Sequence, residues 1–527
     1  MKKLKALLAS ITALCMCASN VSVVGKVQPV VNFISASAED EEPATSGTCG
    51  ENLTWHLSQN FEEDTYTLTI SGTGAMMDWE GTLALVNLTS TKAPWHEWYS
   101  SITEIIIQDG ITTIGSHAFD YCYNLKSVII PDSVTTIGSY AFSGCYENLK
   151  SITIPESVTT IGAGAFEKCS ALESIVIPDG IEMIDDYTFS GCSYLRSVMV
   201  PNSVTLIGAE AFKECAALDF VELPNGVKKI DSYAFEDCTN LKSVEISESV
   251  TIIGEGSFSD CPALESVTIQ NGAEEIRDYA FSGCSSLKSI TIPDSVEKIG
   301  CGVFSGCSSL ESIKLSNNIS TLDVAVFEDC SALESIVIPD RVSEISYSVF
   351  KGCESLTSII IPNYILNILG ESFKDCSSLE SVIIPESVQW IGEDTFSGCS
   401  SLESITFENP RCELILPAIP DNATIYGYAD STAQEYAESN NINFVLIGEA
   451  PEPTEVPEIK KGDVNLDNAV DILDVIAINK AILGQKVLTV EEKNSADVDN
   501  SGIVDPVDSL NIMKYIVKLI DSLEDLN

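Results

Sequence analysis

At 527 residues the chain is long enough for several domains or one extended array, and 78 Asp and Glu against 28 Lys and Arg give it a formal charge of −50. That charge repels phosphate, which excludes nucleic acid as a partner and disfavours an anionic membrane surface. It suits a soluble extracellular protein that gathers divalent cations.

The chain opens with a positive segment, Met1-Lys2-Lys3-Leu4-Lys5, followed by an apolar stretch from Ala6 to about Val24. Ala36-Ser37-Ala38 then precedes the acidic run Glu39-Asp40-Glu41-Glu42. This order is that of a secretory signal peptide over residues 1–38, with cleavage somewhere between Ala18 and Ala38. A lipid-anchored form through Cys17 is the weaker alternative, because Met16 stands where a small residue is wanted. No later run approaches the ~18 apolar residues of a membrane span. The expected product is secreted and soluble, at the cell surface or in an extracellular complex.

Residues 47–101 read as a small β module, with Gly47-Thr48-Cys49-Gly50 and Leu68-Thr69-Ile70-Ser71-Gly72 as strand and turn signals. Four of the five tryptophans fall here: Trp55, Trp79, Trp95 and Trp98. They form either a sugar-stacking or protein-docking surface, or a plug over the open end of whatever follows. The plug is favoured, since large aromatics are the usual means of burying an exposed end.

From Ile102 the sequence repeats itself. One unit runs Leu125-Lys-Ser-Val-Ile-Ile-Pro131, then Val134, Ile137-Gly138, Ala141-Phe142 and Cys145; the next runs Leu149 to Pro155, then Val158, Ile161-Gly162, Ala165-Phe166 and Cys169. Thirteen cysteines, Cys122 to Cys399, recur at 23 residues with a single step of 24. A cysteine recurring once per unit fills one structural slot, so it is read as a ladder of buried thiols rather than a disulfide framework. Each unit holds one short alternating strand that cannot bury its apolar residues alone. Stacked units form a continuous core and a parallel sheet, about 60 Å long for thirteen coils at ~4.8 Å each. The array spans 102–407, and its thirteen units resemble the BspA-like (treponemal-type) leucine-rich repeats of bacterial surface and secreted proteins. That resemblance implies a mainly β solenoid used for adhesion or protein binding, and it carries no catalytic residues.

Side chains two apart share a strand face, so Val128 and Ile130 point inward while Ser127 and Ile129 point outward. The outward columns are a Ser ladder broken only by Phe220, and a variable column whose members include Val337, Ile360 and Ile383. These three are a possible ligand face for a protein or a glycan. The opposing reading is that β-branched residues are simply favoured in strands.

Residues 408–447 resemble the usual cap of such arrays, with Thr424-Ile425-Tyr426-Gly427-Tyr428 leading into a short helix and then Phe444-Val445-Leu446-Ile447. A Pro- and Glu-rich linker covers 448–461. Residues 462–527 contain two acidic loops 34 residues apart. Calcium loops supply oxygen ligands from positions 1, 3, 5, 7, 9 and 12. The first offers Asp463, Asn465, Asp467, the Ala469 carbonyl, Asp471 and Asp474; the second offers Asp497, Asp499, Ser501, the Ile503 carbonyl, Asp505 and Asp508. Two Ca2+ ions are expected.

Each loop runs into an amphipathic segment with no helix before it, and two such loop–helix units resemble a type I dockerin, a small all-α calcium-binding domain. The resemblance implies docking onto a cohesin module of a cellulosome scaffoldin, and a place in polysaccharide catabolism. Its partner contacts fall on Ile472, Leu473 and Lys480 and on Pro506, Val507 and Lys514, apolar where many dockerins carry Ser-Thr-like pairs.

No convergent catalytic set stands out among three histidines, His56, His96 and His117, and no segment is left for a catalytic domain. The reading is a non-catalytic binding or adhesion component. The alternatives are a polysaccharide-degrading, glycoside-hydrolase-like enzyme of the complex, and an inhibitor or regulator of its components.

Overall fold

In the computed structural model the described residues are 44–80, 92–415, 417–449, 460–465, 469–482, 488, 490–498 and 504–516. The expected signal peptide and most of the expected linker fall outside them.

The unit repeat becomes one solenoid coil. Over most of the array the Ser-x-x strand of a coil pairs in parallel with its neighbours in unshifted register, as in Ser174↔Ser197, Ser197↔Phe220 and Phe220↔Ser243. Proline ends the strand because it has no N–H for the ladder. Its carbonyl instead accepts the Val N–H three residues on, as in Val134 to Pro131 at 3.1 Å and Val158 to Pro155 at 3.0 Å. That turn delivers the Thr-Ile pair to a second parallel ladder, Thr136↔Thr160 and Ile137↔Ile161. This second sheet is absent from the sequence reading, because two-residue strands carry too short an alternation to be seen. A third set of bonds joins coils at the Ala-Phe corner, where Phe119 N–H donates to Ala141 O and Phe142 N–H to Ala165 O, both at 2.8 Å.

Between these walls lies the core. Phe119 to Phe396 stack coil on coil with ring centroids 5.1–5.9 Å apart. The repeat cysteines run beside them, buried and free of disulfides. From Cys145 to Cys399 each thiol donates to the Phe carbonyl of the preceding coil, as in Cys169 to Phe142 at 3.2 Å and Cys399 to Phe373 at 3.1 Å. The same Phe carbonyl accepts its own coil's Cys N–H, Cys145 to Phe142 at 3.3 Å. The thiol therefore supplies a donor where a larger side chain would not fit and an apolar one would leave a lone pair unused.

At the N-terminal side an antiparallel meander, Ser46–Gly50, Leu53–Asn60 and Thr65–Gly72, joins the first sheet through the parallel pairing of Thr65–Gly72 with Ile102–Ile107. Trp95 lies over Phe119 at 5.6 Å, with Trp55 and Trp79 edge-on to it at 5.8 and 5.2 Å. Its indole N–H donates to Ala118 O at 2.8 Å. These three tryptophans are buried, so they plug the aromatic column rather than face solvent. Trp98 packs on Tyr66 at 4.7 Å.

On the C-terminal side, Thr424–Tyr428 and Asn443–Gly448 continue the first sheet in parallel, and Glu413–Leu414 continues the second. Helix α1, Thr432–Asn440, starts at Ser431, whose hydroxyl accepts the Gln434 N–H, and ends at Asn441 in the left-handed region. Three further helices follow: α2 (Ile472–Ile482), α3 (Val490–Ala496) and α4 (Pro506–Ile516). Helix α3 runs directly into Asp497, so the second loop does have a helix before it, contrary to expectation. Val464, Val475, Ile478, Val498 and Ile512 form a separate small core among them.

Candidate docking module and ligand face

Both loop–helix units are closed in the same way. Asp471 stands immediately before α2 and its Oδ1 accepts the Leu473 N–H at 2.7 Å, while Asp474 Oδ2 accepts the Asp471 N–H at 2.8 Å. In the second unit Asp505 Oδ1 accepts the Val507 N–H at 2.6 Å, and Asp508 Oδ2 accepts the Asp505 N–H at 2.9 Å. Each pair is a capping box written with two aspartates, and Pro506 takes the first position of α4, where no N–H is needed. Loop positions 9 and 12 are thus also the helix caps. The other oxygen of each position-12 carboxylate reaches back across its loop: Asp474 Oδ1 accepts the N–H of Val464 and Asn465 at 2.7 and 3.0 Å, and Asp508 Oδ1 that of Val498 at 2.9 Å.

Asp463, Asp474 and Asp508 are buried. Burial pushes the Asp474 carboxyl above its usual range, backbone N–H groups oppose this, and the Asp463 charge adds to it. An all-oxygen donor set with buried carboxylates fits a hard divalent cation, whose charge offsets their desolvation. Among the described residues no three side chains stand close enough to hold a metal by themselves. Asp467, Asp499, Ser501 and Ile503 lie outside those residues; Asn465, Ala469, Asp471, Asp497 and Asp505 lie within them.

The partner-facing positions are mostly open. Ile472, Leu473, Lys480, Pro506 and Val507 are exposed, whereas Lys514 is half-buried with Nζ 3.2 Å from Asn511 Oδ1. Besides Ile482 at the far end of α2, three further apolar side chains stand exposed near the starts of these helices: Ile476, one turn beyond Ile472, and Leu510 and Met513 beyond Pro506 and Val507. The sequence reading missed them, although the i, i+4 spacing from Ile472 to Ile476 was there to find them. Helices α2 and α4 are linked by Ser509 Oγ and Asn479 Oδ1 at 3.1 Å. The twin units therefore each present an apolar helical start beside a buried loop carboxylate, Asp474 or Asp508.

On the solenoid, Val337 and Ile360 are 83% and 84% exposed, and Ile383 is also exposed. Ser335 and Ser358 make only isolated bridges to Ser312 and Ser381, so Val337 and Ile360 sit where the regular ladder lapses. Strand preference does not account for a β-branched residue that is outside a strand. From Ile383 the outward column continues in register through Thr406 and Tyr426 to Val445. In the coils of Val337 and Ile383 exposed acidic residues stand before and after the apolar one, Glu334 and Asp340 in the first and Glu380 and Glu386 in the second, whereas the Ile360 coil has Thr357 and Asn363 in those places.

Residues 96–219, 205–334 and 325–415 match the family model described as BspA type leucine rich repeat region (6 copies), and residues 461–517 match the one described as dockerin type I domain. Among solved structures, a leucine-rich repeat protein from Bacteroides ovatus is 27% identical, with a TM-score of 0.56, over 69% of this chain and 98% of its own. A leucine-rich repeat protein from Eubacterium ventriosum is 26% identical over 68% of this chain and 96% of its own, with a TM-score of 0.48. No curated protein matches the chain.

Proposed function

The chain belongs to the BspA-type leucine-rich-repeat family and ends in a type I dockerin, and from that premise we propose that it is a secreted, non-catalytic binding component of a cellulosome-type complex. The dockerin attaches it to a cohesin module of a scaffoldin, and the solenoid holds a protein or glycan ligand. Dockerins and these repeats are typical of extracellular proteins, and no helix among the described residues is long and apolar enough to cross a membrane. The repeat fold and its likeness to a leucine-rich repeat protein support the non-enzymatic reading.

The observation that carries the proposal is the pairing of twin capped loops with twin exposed helix starts. Type I dockerins bind calcium in general. Here one ion would be held by Asp463, Asn465, Asp467, the Ala469 carbonyl, Asp471 and Asp474, and a second by Asp497, Asp499, Ser501, the Ile503 carbonyl, Asp505 and Asp508. Bound calcium would supply positive charge that draws the loop carboxylates together. The protein's own part is to set both loops through the caps and to present Ile472, Leu473 and Ile476, or Val507, Leu510 and Met513, to the partner. Such faces select a cohesin whose recognition surface is apolar, since a polar one would be left with unpaired donors.

The test is calorimetric titration of the full chain with a panel of recombinant type I cohesins, with calcium and with EDTA. Calcium-dependent binding to at least one, weakened when Leu473 and Val507 are both changed to Asp, is expected. Binding to none of them in calcium would sink the attachment role. For the solenoid, the exposed Val337, Ile360 and Ile383, with acidic residues on either side of Val337 and Ile383, support a protein ligand with an apolar centre and a basic rim.

A further inference from the structure

Two departures from the repeat coincide in adjacent coils. The residue before the conserved-slot leucine is Asn, Ala or Ser in every unit except one, where it is Tyr194. In the next coil Phe220 interrupts the Ser column, in register between Ser197 and Ser243. Tyr194 is 60% exposed and Phe220 is also exposed. Among the described residues Tyr194 makes no ring contact, unlike Tyr123 and Tyr146, which stack on each other at 5.7 Å.

Beside the Tyr194 ring the surface dips into a depression of about 390 Å3. Its floor is Ala217, one coil on, and its far wall is Asn240, two coils on. Arg196, Asp219 and Lys242 line the side nearest the sheet. These three occupy the column in which Lys126 is paired with Glu63 at 2.9 Å and Lys150 with Glu173 at 3.0 Å. Arg196, Asp219 and Lys242 have no ion-pair partner among the described residues. The depression therefore combines an unstacked aromatic ring, a small floor, and four side chains whose donors and acceptors are turned to solvent.

We propose that this depression is a subsite for a pyranose unit of a neutral polysaccharide. The proposal rests on the reading of the solenoid as the ligand-holding part of the protein. Its volume falls within the roughly 300–1000 Å3 of small-ligand sites, which combine apolar contact with a few placed polar groups. A sugar ring offers an apolar C–H face to lie on Tyr194 and a rim of hydroxyls that both donate and accept. Arg196 and Lys242 donate to such hydroxyls, Asp219 accepts, and the Asn240 amide does both. A polyanionic chain is disfavoured, because the charge of −50 repels it at long range and Asp219 sits between the two cations. Neutral hydroxyls meet neither penalty.

The test is titration of the full chain with cellohexaose, xylohexaose and mannohexaose by calorimetry. At least one should bind, and Tyr194→Ala should weaken it about tenfold, the loss of one stacked ring contact. Tyr194→Phe should bind as the parent does, and Asn240→Ala a few-fold less tightly. Thermal midpoints should be unchanged, since both side chains are exposed. A Val337→Ser/Ile360→Ser variant should bind these sugars normally, because those two residues lie several coils further along the array. Failure of all three sugars to bind would overturn the subsite while leaving cohesin docking and the apolar strip standing. Sugar binding indifferent to Tyr194→Ala would overturn it too, and would place the glycan elsewhere on the solenoid.

Discussion

A thiol in the column from Cys122 to Cys399 is held by burial, and burial sets its chemistry. Desolvation pushes Cys261 and Cys307 up to about 12, against an ordinary value near 9. A raised pKa in the folded state means that the unfolded chain loses its protons first as pH rises. The thiols thus contribute stability that is fully present below pH 9 and is lost between pH 9 and about 12. Each buried thiol removes at most about 1.4 kcal/mol per pH unit in that window, so several together make the decline steep. Calorimetry under reducing conditions should show a midpoint that holds from pH 7 to 9 and falls sharply above; a midpoint level to pH 10.5 would contradict this. The same burial protects against alkylation. Native protein at pH 8 should label at Cys301, the one half-exposed thiol among those described, and not along the column. A second residue-scale rule is the pairing of Tyr with Gly in consecutive coils. Gly256 sits at φ +55, directly under the Tyr233 ring, so an added Cβ would overlap it. Gly256→Ala should cost roughly 1–2 kcal/mol for the left-handed backbone alone, plus the overlap. Tyr233→Ala in the same chain should recover the overlap part and not the backbone part, a coupling read from a double-mutant cycle.

At the scale of the element, the dockerin loops and helices share their carboxylates. Asp471 is both loop position 9 and the residue capping α2 through Leu473 N–H. Asn caps a helix about as well as Asp, whereas Ala costs typically ~1 kcal/mol. Asp471→Asn should therefore match the parent in EDTA and bind calcium more weakly, since one loop charge is gone. Asp471→Ala should be destabilised in both conditions. Thermal unfolding of the full chain, with and without calcium, separates the two roles; an Asn variant as unstable as the Ala variant in EDTA would mean that Asp471 does not act as a cap. The amphipathic segments after the loops were legible from sequence, because the calcium spacing and the apolar periodicity point to the same boundaries. Ile476, Leu510 and Met513 were not singled out, since an outward apolar residue on a helix looks like core until its neighbours are placed. The solenoid strands divide the same way. The Ser-Val-x-Ile alternation announces the first sheet, but Thr-Ile alone is too short to announce the second. Val337 and Ile360 were picked out for their side chains, and the lapse of the ladder around them became visible only in three dimensions.

For the whole molecule, stability is a chain of nearest-neighbour interfaces, so position along the array decides what a defect costs. Phe258 stacks on both Phe235 and Phe281, at 5.2 and 5.5 Å, while among the described residues Phe396 stacks on Phe373 alone, at 5.4 Å. The end nearest Phe119 is different. There Trp95 covers the last ring, Trp55 and Trp79 close on Trp95 from the side, and its N–H is satisfied by Ala118 O. Trp95→Ala should remove about 3–5 kcal/mol of packing and leave Phe119 with an open face. In a globular core that loss is felt everywhere; in a one-dimensional array it is felt where coils can peel away. Hydrogen exchange of the Trp95→Ala chain should show protection falling over the first coils, near Ile105, Ile114 and Phe119, and holding at Phe258 and beyond. Phe258→Ala should instead divide the array, lowering protection on both sides of the defect while the tryptophan plug stays intact. A uniform loss of protection from Trp95→Ala would show that the solenoid unfolds as one cooperative block, so that the plug guards the whole column rather than its first coils.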